Sequence, residues 1–408
     1  EYALHYAFDA GAQDPFVILE YATPAEKGWM MLYSADGHFE GDVSLAYSGA
    51  GGKTTVTLTS ARTTGSIGKT STTLPKAADY QKPTGKSNAK VTDFVLTETP
   101  EGFHYAFNAA GTDYMLLYWR SKEQTVTQPV YPDGNGHYEG DVVSELTFAR
   151  TQFTVQVKSG SGSMKKEATV RKGYQAPEAP QRQEGRLSGV TVCIDAGHQE
   201  NGRFVNEPIG PGLSGSTSGK GGMAQGTKTN RRESIVCLEI GMLLRDELLR
   251  QGANVIMTRE DQTTFHTNIE RCEIAEAGGA QIMLRLHCNN SSNRSKRGIQ
   301  VYGPLNSDYA KAVADADTYR EMGQKLLDAM KTRVGMTLAN STGMVRLNDN
   351  YVGNNWAKMM CFLVEMGYLS NPAEEYLLVT PVYQQWLAEG MADGVYEIAV
   401  ARGWVQAQ

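Results

Sequence analysis

Three side chains able to take part in catalysis each follow an apolar stretch of the chain: His198, His287 and Glu365. The stretches are short and rich in Val, Ile and Leu, which is typical of buried strands, and they cover residues 190–194, 282–286 and 361–364. Open α/β sheets present their chemistry just beyond the carboxyl ends of the strands. We therefore expect these two histidines and the glutamate, although far apart in sequence, to converge on one site.

A metal ion would suit these residue types. Neutral imidazole is a good zinc ligand, and a catalytic zinc usually has three protein ligands, often two His and one Glu. Glu233 follows a Gly- and Ser-rich loop, residues 199–230, and lies in the first turn of a predicted helix, so it is the natural third ligand. The helix dipole alone explains an acid there equally well. His266 lies in a loop and not at a strand end.

Glu365 is predicted to belong to the site and not to the core. An unpaired charged carboxylate in an apolar setting costs several kcal/mol. The sequence has no His-Glu-x-x-His helix, which excludes the helical metalloprotease pattern.

From Leu187 onwards strands alternate with helices, which predicts an α/β domain with a mostly parallel central sheet flanked by helices. Two further strands are expected at residues 253–258 and 298–302. The predicted helices cover residues 233–251, 269–277, 309–333 and 383–402.

The first 178 residues contain a repeat. The segment His-Tyr-Ala-Phe at residues 5–8 returns at 104–107, and residues 37–43 return at 136–142, always 99 positions later. Both copies are rich in Val, Thr, Tyr and Phe with alternating polarity and contain turn signals. We predict a multidomain chain with two all-β sandwich repeats, 1–86 and 87–178, before the catalytic domain 187–408. They would resemble immunoglobulin or fibronectin type III modules.

The two copies are expected to join at residues 80–85, and a linker is expected at 174–186. The first copy has no counterpart of residues 91–96, so its first strand is expected to have been cut off. The four histidines of the repeats are interpreted as structural or surface residues. Trp29 and Trp119 are predicted to be exposed and able to stack on sugars, although a spacer role for the modules is favoured.

Chain length and composition limit the possible domain organisation and binding partners. A chain of 408 residues is too long for one ordinary core. The net charge of −6 gives no electrostatic case for nucleic acid or an anionic membrane, and no apolar run approaches the roughly 18 residues that span a bilayer. No signal peptide is evident, so a mature or trimmed form is expected. The five cysteines are odd in number and form no Cys-x-x-Cys pair, which predicts buried free thiols.

Four motifs in the second half occur in a characteristic order. They are Ile-Asp-Ala-Gly-His at 194–198, Thr-Arg-Glu at 258–260, Arg-Leu-His-Cys-Asn at 285–289 and Val-Glu-Met-Gly-Tyr-Leu-Ser-Asn at 364–371. Together they resemble the zinc-dependent N-acetylmuramoyl-L-alanine amidases of the Amidase_3 family, over residues 187–408. Residues 206–212 resemble a loop of the clostridial branch. Arg285 and Cys288 depart from the Ser and Ala common in relatives, and neither change removes a ligand.

The resemblance implies one zinc ion held by His198, Glu233 and His287, with Glu365 as the catalytic carboxylate. It also implies hydrolysis of the amide between the lactyl group of N-acetylmuramic acid and L-alanine of the stem peptide. Peptidoglycan would be the partner of a secreted or cell-wall-associated protein, in a Gram-positive bacterium.

Two questions stay open at this point. Arg271, Arg285 and Asn289 are candidates for substrate binding, the arginines through bidentate contacts with stem-peptide carboxylates; ion pairs on the surface or in the core are an equally good interpretation of both arginines. The same zinc ligands would also serve a carboxypeptidase or endopeptidase acting within the stem peptide. Besides the amidase and the peptidase, a third interpretation of the whole chain is a non-catalytic protein that only docks on the cell wall.

Overall fold

The computed structural model forms two compact units, Glu1–Gln175 and Ala176–Gln408, and each is described by itself. The structure describes residues 2–10, 14–23, 27–45, 52–61, 65–74, 88–99, 102–112, 114–121, 125–143, 151–159, 162–172, 176–199, 205–217, 222–335 and 345–407. The predicted join at 80–85, the start of the predicted linker and part of the 199–230 loop lie outside these ranges.

The described part of the first unit consists of strands and contains no helix. The strands are β1 (Tyr2–Asp9), β2 (Phe16–Ala22), β3 (Lys27–Tyr33), β4 (His38–Leu45), β5 (Gly52–Ser60), β6 (Ser66–Leu74), β7 (Val91–Thr99), β8 (Gly102–Ala109), β9 (Met115–Arg120), β10 (Thr125–Val130), β11 (His137–Val143), β12 (Thr151–Ser159) and β13 (Met164–Lys172). The β-rich character predicted for the N-terminal region is confirmed.

The same pairing scheme occurs twice along this unit. In the first set, β1 pairs with β4 in one sheet, and a second sheet has the strand order β3-β2-β5-β6. In the second set, one sheet has the order β11-β8-β7 and the other has the order β10-β9-β12-β13. The second set has the additional strand β7, which pairs with β8. In each set, side chains from both sheets form one buried cluster, for example Phe39 with Val17 and Phe107 with Leu117. Alternating apolar residues thus cover the inner face of each sheet.

Trp119 corrects the expectation of an exposed sugar-stacking aromatic. Its side chain is only 4% exposed and meets the rings of Phe103 and Phe153 edge-on, at 6.2 and 5.7 Å between centroids. Trp29 is half-buried. Alternation along β9 directs Trp119 inward together with Met115 and Leu117, so this position belongs to the core.

The second unit alternates strands and helices as predicted. Its elements are β14 (Thr191–Ala196), α1 (Glu233–Arg250), β15 (Asn254–Met257), α2 (Asn268–Ala277), β16 (Ile282–Asn289), β17 (Gln300–Gly303), α3 (Asp308–Val313), α4 (Ala316–Val334), β18 (Val345–Leu347), α5 (Val352–Trp356), β19 (Met360–Tyr368), α6 (Glu374–Leu378) and α7 (Pro381–Ala401).

The six strands form one mixed sheet in the order β15-β14-β16-β19-β17-β18. Four of the five pairings are parallel, and β17 runs antiparallel to β19. Helices cover both faces: Ile194 and Ala196 lie under α1 at Gly241, whereas Cys193 and Met283 pack with Cys272 of α2. Because β14, β16 and β19 are parallel neighbours, their carboxyl ends meet at one edge of the sheet.

The helix predicted at 309–333 is two helices. Ala314 has extended backbone (φ −166°, ψ 162°), and the Asp315 side chain accepts a hydrogen bond from the Thr318 backbone N–H, so a new N-cap begins α4. The short elements β18, α5 and α6 were not expected from the sequence. All five cysteines are free and buried, as predicted. Among the described residues, no helix combines the length and the apolar character needed to cross a membrane.

Candidate active site

His198 follows the end of β14 after a sharp turn. Gly197 donates its backbone N–H to the Leu286 carbonyl at 2.9 Å, and a Cβ on Gly197 would lie 2.6 Å from Cε1 of His287. Only glycine fits there. His198 itself has φ +58°, a left-handed conformation that is uncommon for a non-glycine residue. This turn directs the His198 ring over the edge of the sheet towards His287, with 4.8 Å between ring centroids.

Glu233 is the first residue of α1 and is buried. Its Oε2 accepts the Ala224 backbone N–H at 2.8 Å, and its Oε1 accepts the Cys288 backbone N–H at 3.0 Å. The same Oε1 lies 3.1 Å from Nε2 of His198 and 3.0 Å from Nδ1 of His287. The helix thus brings a carboxylate from one face of the sheet to the two strand ends.

The three side chains form a group that fits a metal ion. Their ligand atoms all lie within 4.8 Å of one another. Zinc bonds of about 2.0–2.2 Å in a tetrahedron place ligand atoms about 3.3–3.6 Å apart, so small adjustments would complete the coordination. Among the described residues, neither His266 nor a cysteine belongs to this group. Two imidazoles and one carboxylate form the donor set expected of a catalytic zinc site.

The electrostatics agree with that donor set. Burial lowers the pKa of His287 and so favours the neutral imidazole that a metal requires. Burial alone would raise the pKa of Glu233, but hydrogen bonds with His198 and His287 lower it well below its usual range. These shifts favour an ionised Glu233 carboxylate and a neutral His287 imidazole.

Glu365 lies directly beside the metal-binding group. Its Cα is the partner of the His287 Cα in the parallel pairing of β16 and β19. Its Oε2 is buried and has no hydrogen-bond partner among the described residues. Burial, followed by the negative charge of Glu233, raises the pKa of Glu365 to about 8. A carboxyl of this kind can hold and release a proton near neutral pH.

Arg271 and Arg285 lie beneath the site, in the core. Both guanidinium groups pair with Asp195, which is completely buried at the end of β14. Arg271 also donates to the carbonyls of Ala196 and His198, at 2.8 and 3.1 Å. The core ion-pair alternative therefore accounts for both arginines, and their guanidinium groups are engaged away from solvent. Through its two carbonyl contacts Arg271 supports the turn that carries His198.

Asn289 is half-buried beyond His287 and remains a predicted substrate contact. Its Nδ2 donates to Oε1 of Gln300 at 3.1 Å, and the Tyr302 hydroxyl donates to the same oxygen at 2.6 Å. Gln300 is the strand partner of Glu365. Sequence reasoning missed Gln300 and Tyr302, although their spacing of two on a short strand was a signal that they share one face.

The family profile of the N-acetylmuramoyl-L-alanine amidases, Amidase_3, matches residues 192–397. The chain therefore belongs to this family of peptidoglycan amidases. The matched range contains all four proposed site residues, from β14 to β19.

Curated relatives match the same half of the chain. A germination-specific N-acetylmuramoyl-L-alanine amidase of Bacillus subtilis is 26% identical over 231 residues, which are 53% of this chain and 83% of that protein. The probable cell wall amidase LytH of Staphylococcus aureus is 27% identical over 218 residues, covering 52% of this chain and only 60% of LytH. A solved structure of the amidase Ami1 from Mycobacterium smegmatis, 18% identical, covers 53% of this chain and all of that one, with a TM-score of 0.47.

Proposed function

We propose that this protein hydrolyses the amide bond between N-acetylmuramic acid and L-alanine of the peptidoglycan stem peptide. In this proposal one zinc ion is held by His198, Glu233 and His287, and Glu365 is the general base. The catalytic domain would cover residues 187–408.

One observation carries the proposal. Three ligand atoms of the types that zinc prefers lie within 4.8 Å of one another. The partner of His287 in the pairing of β16 with β19 is Glu365, whose buried Oε2 has no hydrogen-bond partner in the described part of the chain. A buried polar atom without a partner costs free energy, and in a native structure a catalytic role is one of the explanations for it. Water and a scissile amide would give Glu365 the partner that the described residues do not supply.

The chain's own residues divide the work. A zinc ion at this site would supply a Lewis acid that polarises a carbonyl and lowers the pKa of water. Glu365 accepts a proton from the attacking water and passes it to the nitrogen of the leaving L-alanine. His198, Glu233 and His287 hold the metal, and the hydrogen bonds to Glu233 from Ala224 and Cys288 keep the carboxylate in place. Asn289 is proposed to contact the substrate at the open side of the site.

The N-terminal unit is proposed to consist of two β-sandwich repeats, 1–86 and 87–178, of immunoglobulin or fibronectin type. Two observations support this division: the same strand pairing occurs twice, and each set of strands has one buried cluster to which both of its sheets contribute side chains. We propose that these modules hold or space the enzyme at the wall of a Gram-positive cell, outside the membrane.

Mass spectrometry of digested peptidoglycan tests the reaction. Purified muropeptides incubated with the full chain should release intact stem peptides that begin with L-alanine, and a chelator should abolish their release. Products cleaved within the stem peptide would instead identify a carboxypeptidase or endopeptidase.

Elemental analysis of the same preparation tests the metal. We expect one zinc per chain, lost in His198→Ala and retained in the matched variant His266→Ala, whose ring lies outside the metal-binding group. A chain without zinc or hydrolysis would favour a non-catalytic wall-binding protein.

A further inference from the structure

We infer that two adjacent glutamates at the start of α6 position the two halves of the active site independently. Glu375 is the positioning residue for the metal ligand Glu233, and Glu374 is the positioning residue for Glu365. This inference rests on the proposed function, because it concerns the same site.

Glu375 is completely buried and accepts hydrogen bonds from a chain segment almost 150 residues away. Its Oε2 accepts the backbone N–H groups of Lys228 and Thr229 at 2.9 and 3.3 Å, and its Oε1 accepts the Thr227 hydroxyl at 3.2 Å. A Cβ on Gly226 would lie 2.5 Å from the same Oε2. A side chain at position 226 would therefore have to displace the Glu375 carboxylate and the Thr229 hydroxyl.

The segment that Glu375 holds leads directly to Glu233. Residues 224–233 fold back on themselves: Gly226 donates to the Arg231 carbonyl, and Glu233 donates its backbone N–H to the Ala224 carbonyl, both at 2.9 Å. Ala224 also donates its own backbone N–H to the Glu233 carboxylate at 2.8 Å, so these two residues are joined by two hydrogen bonds. Displacing the tip at 227–229 would shift Ala224 and, with it, one anchor of the ligand carboxylate.

Glu374 holds a different part of the site. Its Oε2 accepts the Tyr368 backbone N–H at 2.8 Å, and its Oε1 accepts the Gly298 backbone N–H at 2.7 Å. Tyr368 ends β19 three residues after Glu365, where the pairing with β16 shifts register. Gly298 lies two residues before Gln300, the other strand partner of Glu365. Glu374 therefore fixes the irregular strand end that aims the Glu365 side chain.

The two carboxylates lie on the same helix and accept hydrogen bonds from different backbone groups. Glu375 accepts the backbone N–H groups of Lys228 and Thr229, whereas Glu374 accepts those of Gly298 and Tyr368, which precede β17 and end β19. Replacing either glutamate with glutamine keeps the side chain's size while removing its charge and one acceptor. The two substitutions should have different effects, because Glu375 holds the segment that leads to a metal ligand and Glu374 holds the strand end beyond the base.

Zinc competition against a chelator of known affinity, using the full chain, separates the two roles. Glu375→Gln should lower zinc affinity about 10–100-fold, as loss of groups that support metal ligands usually does, and excess zinc should restore its kcat. Glu374→Gln should keep wild-type zinc affinity, lower kcat about tenfold or more through misplacement of Glu365, and shift the pH profile, with no rescue by zinc. Glu389→Gln, a glutamate on α7 paired with Arg333, should change neither.

A second variant guards against a folding defect in Glu375→Gln. Gly226→Ala should also lower zinc affinity, because its methyl group would push the segment away from Glu375. Equal loss of zinc affinity in the Glu374 and Glu375 variants, or no loss in either, would overturn the inference. If the wild-type protein binds zinc but cleaves a different bond, the proposed reaction is wrong. The comparison of zinc affinity and kcat between the Glu374 and Glu375 variants would still test the inference. Wild-type protein without zinc would refute both.

Discussion

Two regions of the molecule place histidines beside carboxylates. One is the exposed face of the strand pair formed by β1 and β4, and the other is the candidate active site beyond β14. In the N-terminal unit, Nδ1 of His38 lies 2.7 Å from Asp9, and the two side chains are 52% and 83% exposed. In the C-terminal unit, Nδ1 of His287 lies 3.0 Å from Glu233, with side chains 15% and 4% exposed. The distances are similar, and the environments are opposite.

That difference in environment decides the chemistry. The hydrogen bond with Asp9 raises the pKa of His38, whereas burial lowers the pKa of His287. The exposed pair therefore favours a protonated imidazole, and the buried pair favours a neutral one that can bind a metal. Among the described residues, only the buried set also brings three ligand atoms together. Residue types alone do not make a site; desolvation and convergence do.

The comparison is tested most strongly by removing one carboxylate from each region. Glu365→Gln should reduce hydrolysis of soluble muropeptides about 10²–10⁴-fold, which is the usual effect of losing a general base, while zinc is retained. Glu40, the exposed carboxylate beside His5 and His38, provides the matched control, and Glu40→Gln should change neither rate nor zinc content. Loss of zinc in Glu365→Gln would make Glu365 a ligand, and full activity would require another base.

The second prediction compares a buried ion pair with an exposed one. Asp195→Asn should destabilise the C-terminal unit by about 3–5 kcal/mol, because it leaves Arg271 and Arg285 buried without a counter-charge. Asp9→Asn should leave the calorimetric transitions almost unchanged. A small effect of Asp195→Asn would mean that the arginines find other acceptors.

The pH dependence of that effect has a definite sign. Burial alone would raise the pKa of Asp195, but Arg271 and Arg285 hold it well below its usual range. The pair therefore contributes stability above the unfolded pKa of about 4, and this contribution is lost as the pH falls towards the folded pKa. The difference in the free energy of unfolding between the wild type and Asp195→Asn, measured by calorimetry, should decrease as the pH is lowered.

The sequence was sufficient to single out His198, His287 and Glu365, because apolar strands leave a local pattern. The expected strand ends were too early for two of them, since β16 continues to Asn289 and β19 to Tyr368, so His287 and Glu365 lie inside their strands. The sequence could not assign Arg271 in α2 or Arg285 in β16, since an arginine at either position is compatible with substrate binding or with a core partner. The completely buried Asp195 settles their pairing, and its charge after four apolar or small residues was the available signal. The sequence did not indicate the roles of Glu374 and Glu375, because two acids at a helix start usually lie in solvent, and Gly298 and residues 228–229, which donate backbone N–H groups to them, are far away in sequence.

The third prediction uses the division into units. Every proposed site residue lies within Ala176–Gln408, so this fragment should hydrolyse soluble muropeptides to within about twofold of the full chain, as expected of a domain with its own core. Binding to intact cell walls, measured by sedimentation, should weaken. Loss of soluble activity in a folded fragment would make the N-terminal unit part of the site.

The smallest expected effect concerns the exposed histidines themselves. Asp9 raises the pKa of His38, and Asp141 raises that of His104, so NMR titration should place both above the ordinary value of about 6.5. The interaction contributes stability below the unfolded pKa, and that stability is lost as the pH rises through the folded pKa. Because these pairs are exposed, added salt should return both values towards 6.5, and Asp9→Asn should lower the pKa of His38 without moving His104. A pKa of His38 at or below 6.5 in low salt would contradict the contrast between the two regions, because it would mean that the exposed pair does not hold a proton.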